Sequence, residues 1–192
     1  MAYTNQKSTV EKIWRVDLEK EIPGISTKDA TPEVALLVLQ KFSCNENTVV
    51  EANEEYRLTV VLIELKSSLQ PAKEKKGKLK NGSLTQIENK FKCAINRIYL
   101  LLTLNNHGNL NKGYESANIH LDFRGIIAYN RNKIQGDDGS ELCQILNKAK
   151  KHPLLSCSTI LSPKDKIEVG FFANPDADSN SFSIALGDLL KK

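Results

Sequence analysis

Two charged residues, Glu64 and Lys66, close an otherwise apolar segment of the chain with the sequence VVLIELKSS. Residues two apart in a β-strand point to the same side, so this carboxylate and this ammonium group are expected to lie together. Phosphodiester hydrolysis needs a pair of carboxylates that holds a divalent metal and a cation that orients water and stabilises developing charge. Glu64 and Lys66 would supply one carboxylate and the cation. The competing interpretation is a strand end with solvated charges.

The second carboxylate should start a strand that pairs antiparallel with this segment, because the start of one hairpin strand lies beside the end of the other. Glu33 precedes the apolar run at 34–39, and the midpoint between positions 33 and 64 is 48.5, inside the polar connection at 43–55. A hairpin centred on that connection brings Glu33 next to Glu64. Asp29, slightly upstream in the string KDATPE, is the fallback for the same role.

The run at 34–39 has an ambiguous period. A short continuous apolar run fits a strand buried on both faces. Thr31, Pro32 and Glu33 would also suit the start of a helix, where Glu33 would complement the helix dipole. We prefer the strand because the most strand-like segment of the chain, 56–65, follows it across one polar connection.

Hydrophobic periodicity predicts the other elements. These are helices at 8–21, 83–102 and 140–151 and strands at 118–129 and 166–172. The first helix rests on Val10, Ile13 and Trp14 at helical spacing, and Gly125 is expected to break or bulge the strand that contains it. Together these elements predict an α/β fold with a central mixed sheet. A chain of 192 residues suits a single domain, 1–192.

Composition excludes several classes of protein. The chain is 40% hydrophobic and 26% charged, which excludes wholesale disorder, and its apolar runs are too short to span a membrane. Its N-terminus lacks the apolar core of a secretory signal, so we expect a cytoplasmic protein. The four cysteines and three histidines show no zinc-ligand spacing, and no P-loop, G-x-S-x-G or G-x-G-x-x-G motif occurs.

The positive charge is concentrated in one stretch. Residues 72–92 contain seven lysines and two glutamates, a net charge of +5 in a chain of net charge +4. Five of these lysines follow Glu64 and Lys66 in a predicted basic loop: Lys73, Lys75, Lys76, Lys78 and Lys80. They would suit contact with a nucleic-acid backbone, where lysines gain affinity by releasing counterions, although a solvated loop has the same composition.

The strings PE-VALLVL and VVLIELKSS resemble the PD-(D/E)XK restriction-endonuclease-like nucleases, in which Pro-Asp opens a buried strand and Glu-x-Lys closes the next one. The resemblance implies that Glu33 and Glu64 hold the metal and that Lys66 positions the attacking water. Pro32 matches the motif proline, but Glu33 stands where Asp is usual. This departure leaves three outcomes open: a relaxed metal geometry, the use of Asp29 instead, or a lost activity.

The resemblance also implies a core of helix, three-stranded meander, helix and strand, with a weak first meander strand at 22–26. Gln86 resembles a glutamine that some members use near the active site, although its spacing from Ser83 also fits a capping box. The implied protein is an endonuclease that acts on DNA with Mg²⁺, Mn²⁺ being the alternative metal and RNA the alternative substrate. Many such enzymes form homodimers. The alternative is a catalytically inactive nuclease-fold subunit, or a nucleic-acid-binding or protein-interaction module.

Overall fold

The structure is a computed structural model in which eight strands and two helices have described bounds. The described residues are 8–20, 31–42, 55–70, 74–75, 78–79, 82–106, 118–134, 143–144, 146, 154–158, 166–179, 181 and 183–190. The strands are β1 (Ser8–Asp17), β2 (Val34–Phe42), β3 (Glu55–Leu69), β4 (Glu74–Lys75), β5 (Lys78–Leu79), β6 (Asn118–Asn132), β7 (Leu154–Ser158) and β8 (Lys166–Ala173). The helices are α1 (Gly82–Asn106) and α2 (Leu186–Leu190).

Six strands form a mixed sheet in the order β1-β2-β3-β6-β8-β7. The first three make an antiparallel meander, while β3, β6 and β8 are parallel to one another. The C-terminal ends of β3, β6 and β8 therefore lie at the same edge of the sheet as the start of β2. This architecture is the predicted α/β fold with a central mixed sheet.

Helix α1 connects the parallel strands β3 and β6 and covers one face of the sheet. Its buried stripe includes Ile87, Phe91 and Ile98, which pack with Val60 and Leu62 of β3 in the main core. The helix predicted at 83–102 is thus confirmed as α1, and the apolar residues at helical spacing are the ones that it buries against the sheet. The strands predicted at 34–39, 56–65, 118–129 and 166–172 are confirmed as β2, β3, β6 and β8.

Gly125 lies in the middle of a continuous strand, so the expected break or bulge is wrong. It pairs with Leu62 in an unbroken register between β3 and β6. A Cβ atom at this position would lie 2.6 Å from Cγ2 of Val169 and 2.9 Å from Cε1 of Phe91. The residue is therefore small because the side chains of Phe91 in α1 and Val169 in the neighbouring strand β8 fill the space beside its Cα.

The helix predicted at 8–21 is also wrong, because residues 8–17 form the edge strand β1. Val10 pairs with Gln40 and Lys12 pairs with Leu39, so a bulge at Glu11 adds one residue to β1. The extra residue places Val10 and Ile13 on the same face at a spacing of three, which imitates helical periodicity. β1 thus supplies the first strand of the meander.

Several other predictions are only partly covered by the described residues. The strand expected at 22–26 lies outside them, and of the helix expected at 140–151 only 143–144 and 146 are described, as helical. The predicted basic loop is replaced in part by the short β4–β5 hairpin. The short apolar strand β7 escaped prediction because a run of that length carries little periodicity.

None of the described helices is long and apolar enough to cross a bilayer.

Candidate active site

The register of β2 and β3 places the two candidate glutamates side by side. Val34 pairs with Ile63, so the next positions outward are Glu33 and Glu64. This is the pairing that a hairpin centred at 48.5 predicts. Because side chains alternate along a strand, Glu64 and Lys66 lie on the same face as Leu62, which is the face covered by α1.

Glu64 is fully buried at this edge and is paired with two lysines. Nζ of Lys90, in α1, lies 2.6 Å from Oε1 of Glu64, and Nζ of Lys66 makes an ion pair with the same oxygen. The exposed fraction of the side chain is 0% for Glu64, 36% for Lys66 and 22% for Lys90. A buried carboxylate requires such counter-charges, because an unpaired charge in the interior is strongly unfavourable.

The other carboxylate oxygen of Glu64, Oε2, is also buried and receives no hydrogen bond from the described residues. A buried acceptor without a donor is unusual in native proteins and calls for an explanation such as an ion or a catalytic role. Glu33 lies beside it, but two ionised carboxylates cannot donate to each other. Oε2 of Glu64 and the carboxyl of Glu33 therefore need either a proton that they share or a further cation, because the two lysines contact Oε1.

Glu33 is held in place through both its backbone and its side chain. Its Oε2 accepts a hydrogen bond of 2.7 Å from the backbone N–H of Leu65, and its carbonyl accepts one of 3.0 Å from the N–H of Leu18. The hydroxyl of Thr31 donates to the carbonyl of Leu18 at 3.0 Å. The segment that carries Glu33 is thus fixed between the ends of β1 and β3.

The electrostatic environment of Glu33 favours its protonated form. Burial raises the pKa of the Glu33 carboxyl above its ordinary value of 4.5. The adjacent Glu64 carboxylate raises it further, through its negative charge and because it accepts a hydrogen bond from the protonated form of Glu33. The hydrogen bond from Leu65 opposes these effects, because it stabilises the carboxylate. An acid with an elevated pKa next to a second carboxylate is typical of sites that bind cations or transfer protons.

A second cationic residue of α1 reaches the same region. The guanidinium of Arg97 is buried and donates hydrogen bonds to the carbonyls of Leu18 and Lys20, just beyond the end of β1. Lys90 and Arg97 are seven residues apart, so they lie two turns apart on one flank of α1. This flank of α1 therefore contacts Glu64 through Lys90. Through Arg97 it contacts the carbonyl of Leu18, the residue whose N–H binds the carbonyl of Glu33.

The site continues along the C-terminal ends of the parallel strands. Tyr129 of β6 is the register partner of Lys66, and burial raises the pKa of its hydroxyl above the ordinary value of 10.0. Arg131, two residues further, lies on the same face and makes an exposed ion pair of 2.8 Å with Asp178. Ligands of open α/β sheets commonly bind at this edge.

The donors at this edge fit a Mg²⁺ ion. Among the described residues no group of three or more His, Cys, Asp or Glu side chains gathers at one point, so the acidic donors here are the pair Glu33 and Glu64. Mg²⁺ is commonly held by one or two carboxylates, with waters and substrate phosphates completing its six ligands. Oε2 of Glu64 has no hydrogen-bond donor among the described residues. It is therefore available as a metal ligand while Oε1 stays paired with the two lysines.

The structure brings together three of the predicted site residues, Glu33, Glu64 and Lys66. Asp29 lies outside the described residues, and so does the side chain of Gln86 near the start of α1. Of the five candidate nucleic-acid-binding lysines, the backbone of Lys75 and Lys78 is described, in β4 and β5, whereas Lys73, Lys76 and Lys80 lie outside the described part.

Lys90 is a site residue that the sequence reasoning missed. It lies at i+3 from Ile87 and i−4 from Ala94, at the border of the apolar stripe of α1. A lysine at such a border usually extends its ammonium group to solvent along the apolar surface. The position of Lys90 in the sequence therefore does not distinguish a lysine that binds Glu64 from a solvated one.

The class of protein that the fold and the site define is an α/β protein with two glutamates and two lysines clustered at the carboxyl edge of a mixed sheet. Comparisons with protein-family models, with curated proteins and with solved structures found no match for the chain. Any assignment of function therefore depends on the geometry of these residues.

Proposed function

We propose that the protein is a metal-dependent nuclease that hydrolyses phosphodiester bonds of DNA, and that its core is of the restriction-endonuclease-like type. The observation that carries the proposal is the convergence of Glu33, Glu64 and Lys66 at one sheet edge, with a buried oxygen of Glu64 that lacks a donor. Nuclease chemistry uses this combination of two acids and a cation.

The arrangement of the elements supports the core assignment. An antiparallel meander, β1 to β3, is followed by helix α1 and by β6, which is parallel to β3. Glu33 lies just before the second strand of that meander and Glu64 lies on the third, as the Pro-Glu and Glu-x-Lys strings imply. Glu33 in place of the usual Asp is accommodated because its side chain reaches the N–H of Leu65 from outside β2.

Each residue has a distinct task in the proposed reaction, which adds water across one backbone P–O bond and leaves a phosphate on one fragment and a hydroxyl on the other. Glu33 and Glu64 would hold Mg²⁺ or Mn²⁺. When bound, such an ion polarises a phosphoryl oxygen and makes a bound water more acidic. Lys66, the more exposed of the two lysines, orients the attacking water and stabilises the negative charge that develops on the phosphoryl group.

A nuclease-fold protein without catalytic activity is the second candidate, and one observation favours it. The two ammonium groups of Lys66 and Lys90 already neutralise the buried carboxylate of Glu64 without any metal. Such a protein would be a subunit, a nucleic-acid-binding module or an interaction module, and it would bind without a requirement for a divalent ion.

A cleavage assay separates these candidates. Supercoiled and linear DNA, with RNA in parallel, would be incubated with Mg²⁺, Mn²⁺ or EDTA and the wild type, Lys66→Ala or Glu64→Gln. Glu168→Gln and Lys133→Ala serve as controls, because both side chains are exposed and outside the cluster.

We expect cleavage that requires the metal and falls at least about 100-fold in both site variants, since removal of a group that stabilises the transition state typically has an effect of this size. The control variants should cut like the wild type. Folded wild-type protein that binds DNA equally well in EDTA and cuts nothing would instead support the second candidate.

A further inference from the structure

The ion pair between Lys90 and Glu64 is a feature that the proposed reaction does not use. We propose that Lys90 is a positioning residue: it holds Glu64 from α1, so that Lys66 can leave Glu64 and engage the water and the scissile phosphate. This inference rests on the proposed nuclease function and assigns a role within the same site.

The distribution of burial between the two lysines supports this division of tasks. Both ammonium groups contact Oε1 of a carboxylate that is 0% exposed, but Lys66 is 36% exposed and Lys90 only 22%. If Lys66 were the sole partner, its movement towards substrate would leave a buried carboxylate without a counter-charge, which is strongly unfavourable. With Lys90 in place, Glu64 keeps an ion pair throughout the reaction.

The position of Lys90 on a firmly packed part of α1 supports the same role. The next residue, Phe91, is fully buried and lies against the space left by the missing side chain of Gly125. Two turns further, Arg97 ties the same flank of α1 to the carbonyls of Leu18 and Lys20. Lys90 therefore extends from backbone that is fixed on both sides, whereas Lys66 lies near the end of a strand.

The contact also selects which oxygen of Glu64 remains available. Lys90 and Lys66 both bind Oε1, and Oε2 is left without a donor beside Glu33. Groups that orient a metal ligand in this way typically change metal affinity or activity by about 10- to 100-fold when they are removed. We therefore expect Lys90 to affect metal binding through the orientation of Glu64.

The sign of the effect on metal affinity distinguishes orientation from simple charge. A lysine that acted only through its charge would repel a divalent cation, so its removal would tighten metal binding. A lysine that orients Glu64 would weaken metal binding when it is removed. The informative variants are Lys90→Met, which removes the ammonium group, Lys90→Arg, which keeps a cation, and Lys92→Met as a control on the same helix.

The test measures Mn²⁺ binding to each protein by calorimetry, and kcat and KM for cleavage of linear DNA. For Lys90→Met we expect Mn²⁺ affinity and kcat to fall by about 10- to 100-fold, with KM for DNA little changed. Lys90→Arg should recover most of both losses, and Lys92→Met should resemble the wild type. If Lys90→Met does not fold, Lys90→Gln, which can still donate a hydrogen bond to Glu64, replaces it with smaller losses in the same direction.

Three results would overturn the inference about Lys90 while the nuclease proposal stands. These are an unchanged kcat, a tighter binding of Mn²⁺, or a change confined to KM, the last of which would place Lys90 against the substrate. A wild type that neither binds Mn²⁺ nor cuts DNA would refute the nuclease proposal itself, and the role of Lys90 with it.

Discussion

Glu33 shows at the scale of one residue how a departure from a motif can be structurally consistent. Its Oε2 accepts the N–H of Leu65, although the residue lies just before β2 begins. An aspartate, one methylene shorter, would reach less far from the same backbone position. The hydrogen bond therefore favours the retention of glutamate here, and it fixes one oxygen while the carboxyl group stays close to Glu64.

The raised pKa of Glu33 leads to a prediction about stability. Because the folded protein binds this proton more readily than the unfolded chain, the free energy of unfolding falls as pH rises from about 4.5, the ordinary value, through the raised pKa of the folded state. Glu33→Gln removes the titrating group but keeps an acceptor for Leu65. We expect this variant to lack that part of the pH dependence and to be more stable than the wild type at neutral pH.

Urea unfolding between pH 4 and 8 would test this expectation. Glu168→Gln is the matched control, because it removes an exposed carboxylate from β8. Parallel stability curves for the wild type and Glu33→Gln across the whole range would show that Glu33 titrates alike in the folded and unfolded states.

At the scale of elements, the position of α1 over the sheet depends on Gly125. Phe91 and Val169 occupy the space beside its Cα, and both are fully buried. Phe91 is adjacent in sequence to Lys90, and Gly125 pairs with Leu62, two residues before Glu64. This tight contact between helix and sheet therefore lies close to the ion pair that links them.

Gly125→Ala tests the consequence of this close packing. The added Cβ would lie 2.6 Å from Cγ2 of Val169, so the helix or the strand must shift. Overpacking of this kind typically costs about 1–3 kcal/mol. We expect a corresponding loss in the free energy of unfolding and a lower kcat, because the displacement of Phe91 also moves Lys90 away from Glu64.

Gly187→Ala is the comparison, since no atom lies within 4 Å of the Cβ that it would add in α2. That substitution should leave stability unchanged or raise it slightly, as glycine-to-alanine changes in helices do. Equal stabilities of Gly125→Ala and the wild type would mean that α1 adjusts freely over the sheet.

At the scale of the whole molecule, the basic stretch is connected at both ends to elements that carry the site. β3 ends just beyond Lys66, α1 begins at Gly82, and the lysine-rich residues lie between these two points of the chain. Residues 72–81, with five lysines and one glutamate, carry a net charge of +4 that is thereby tethered beside the proposed active site. Long-range attraction would guide an anionic polymer to this end of the sheet.

Replacement of the five lysines at 73, 75, 76, 78 and 80 by glutamine should reduce the salt dependence of DNA binding. Each phosphate contact contributes about 0.9 to the slope of log K against log salt, so we expect the slope to fall by several units. Fluorescence anisotropy in EDTA measures binding without cleavage. The control replaces Lys12, in the middle of β1, and Lys41, near the opposite end of β2, by glutamine. An unchanged slope would mean that these lysines do not contact phosphates.

The sequence allows the centre of the fold to be predicted better than its borders. Glu33 and Glu64 could be paired because β2 and β3 form a hairpin whose register follows from two chain positions. β1 was mistaken for a helix because a bulge at Glu11 changes the spacing of its apolar residues. Lys90 could not be recognised because its contact with Glu64 depends on the height and rotation of α1 over the sheet, which no local pattern encodes.

The pairing of Glu64 with two lysines has a consequence for evolution. A substitution at Lys66 removes the group proposed to act on substrate but leaves Glu64 paired with Lys90. The buried carboxylate therefore keeps a counter-charge, and the fold avoids the large free-energy penalty of an unpaired buried ion. Loss of activity and loss of the fold are therefore separable by a single mutation. A lineage of such proteins could pass from cutting nucleic acid to merely holding it in one step, with the architecture retained for new uses.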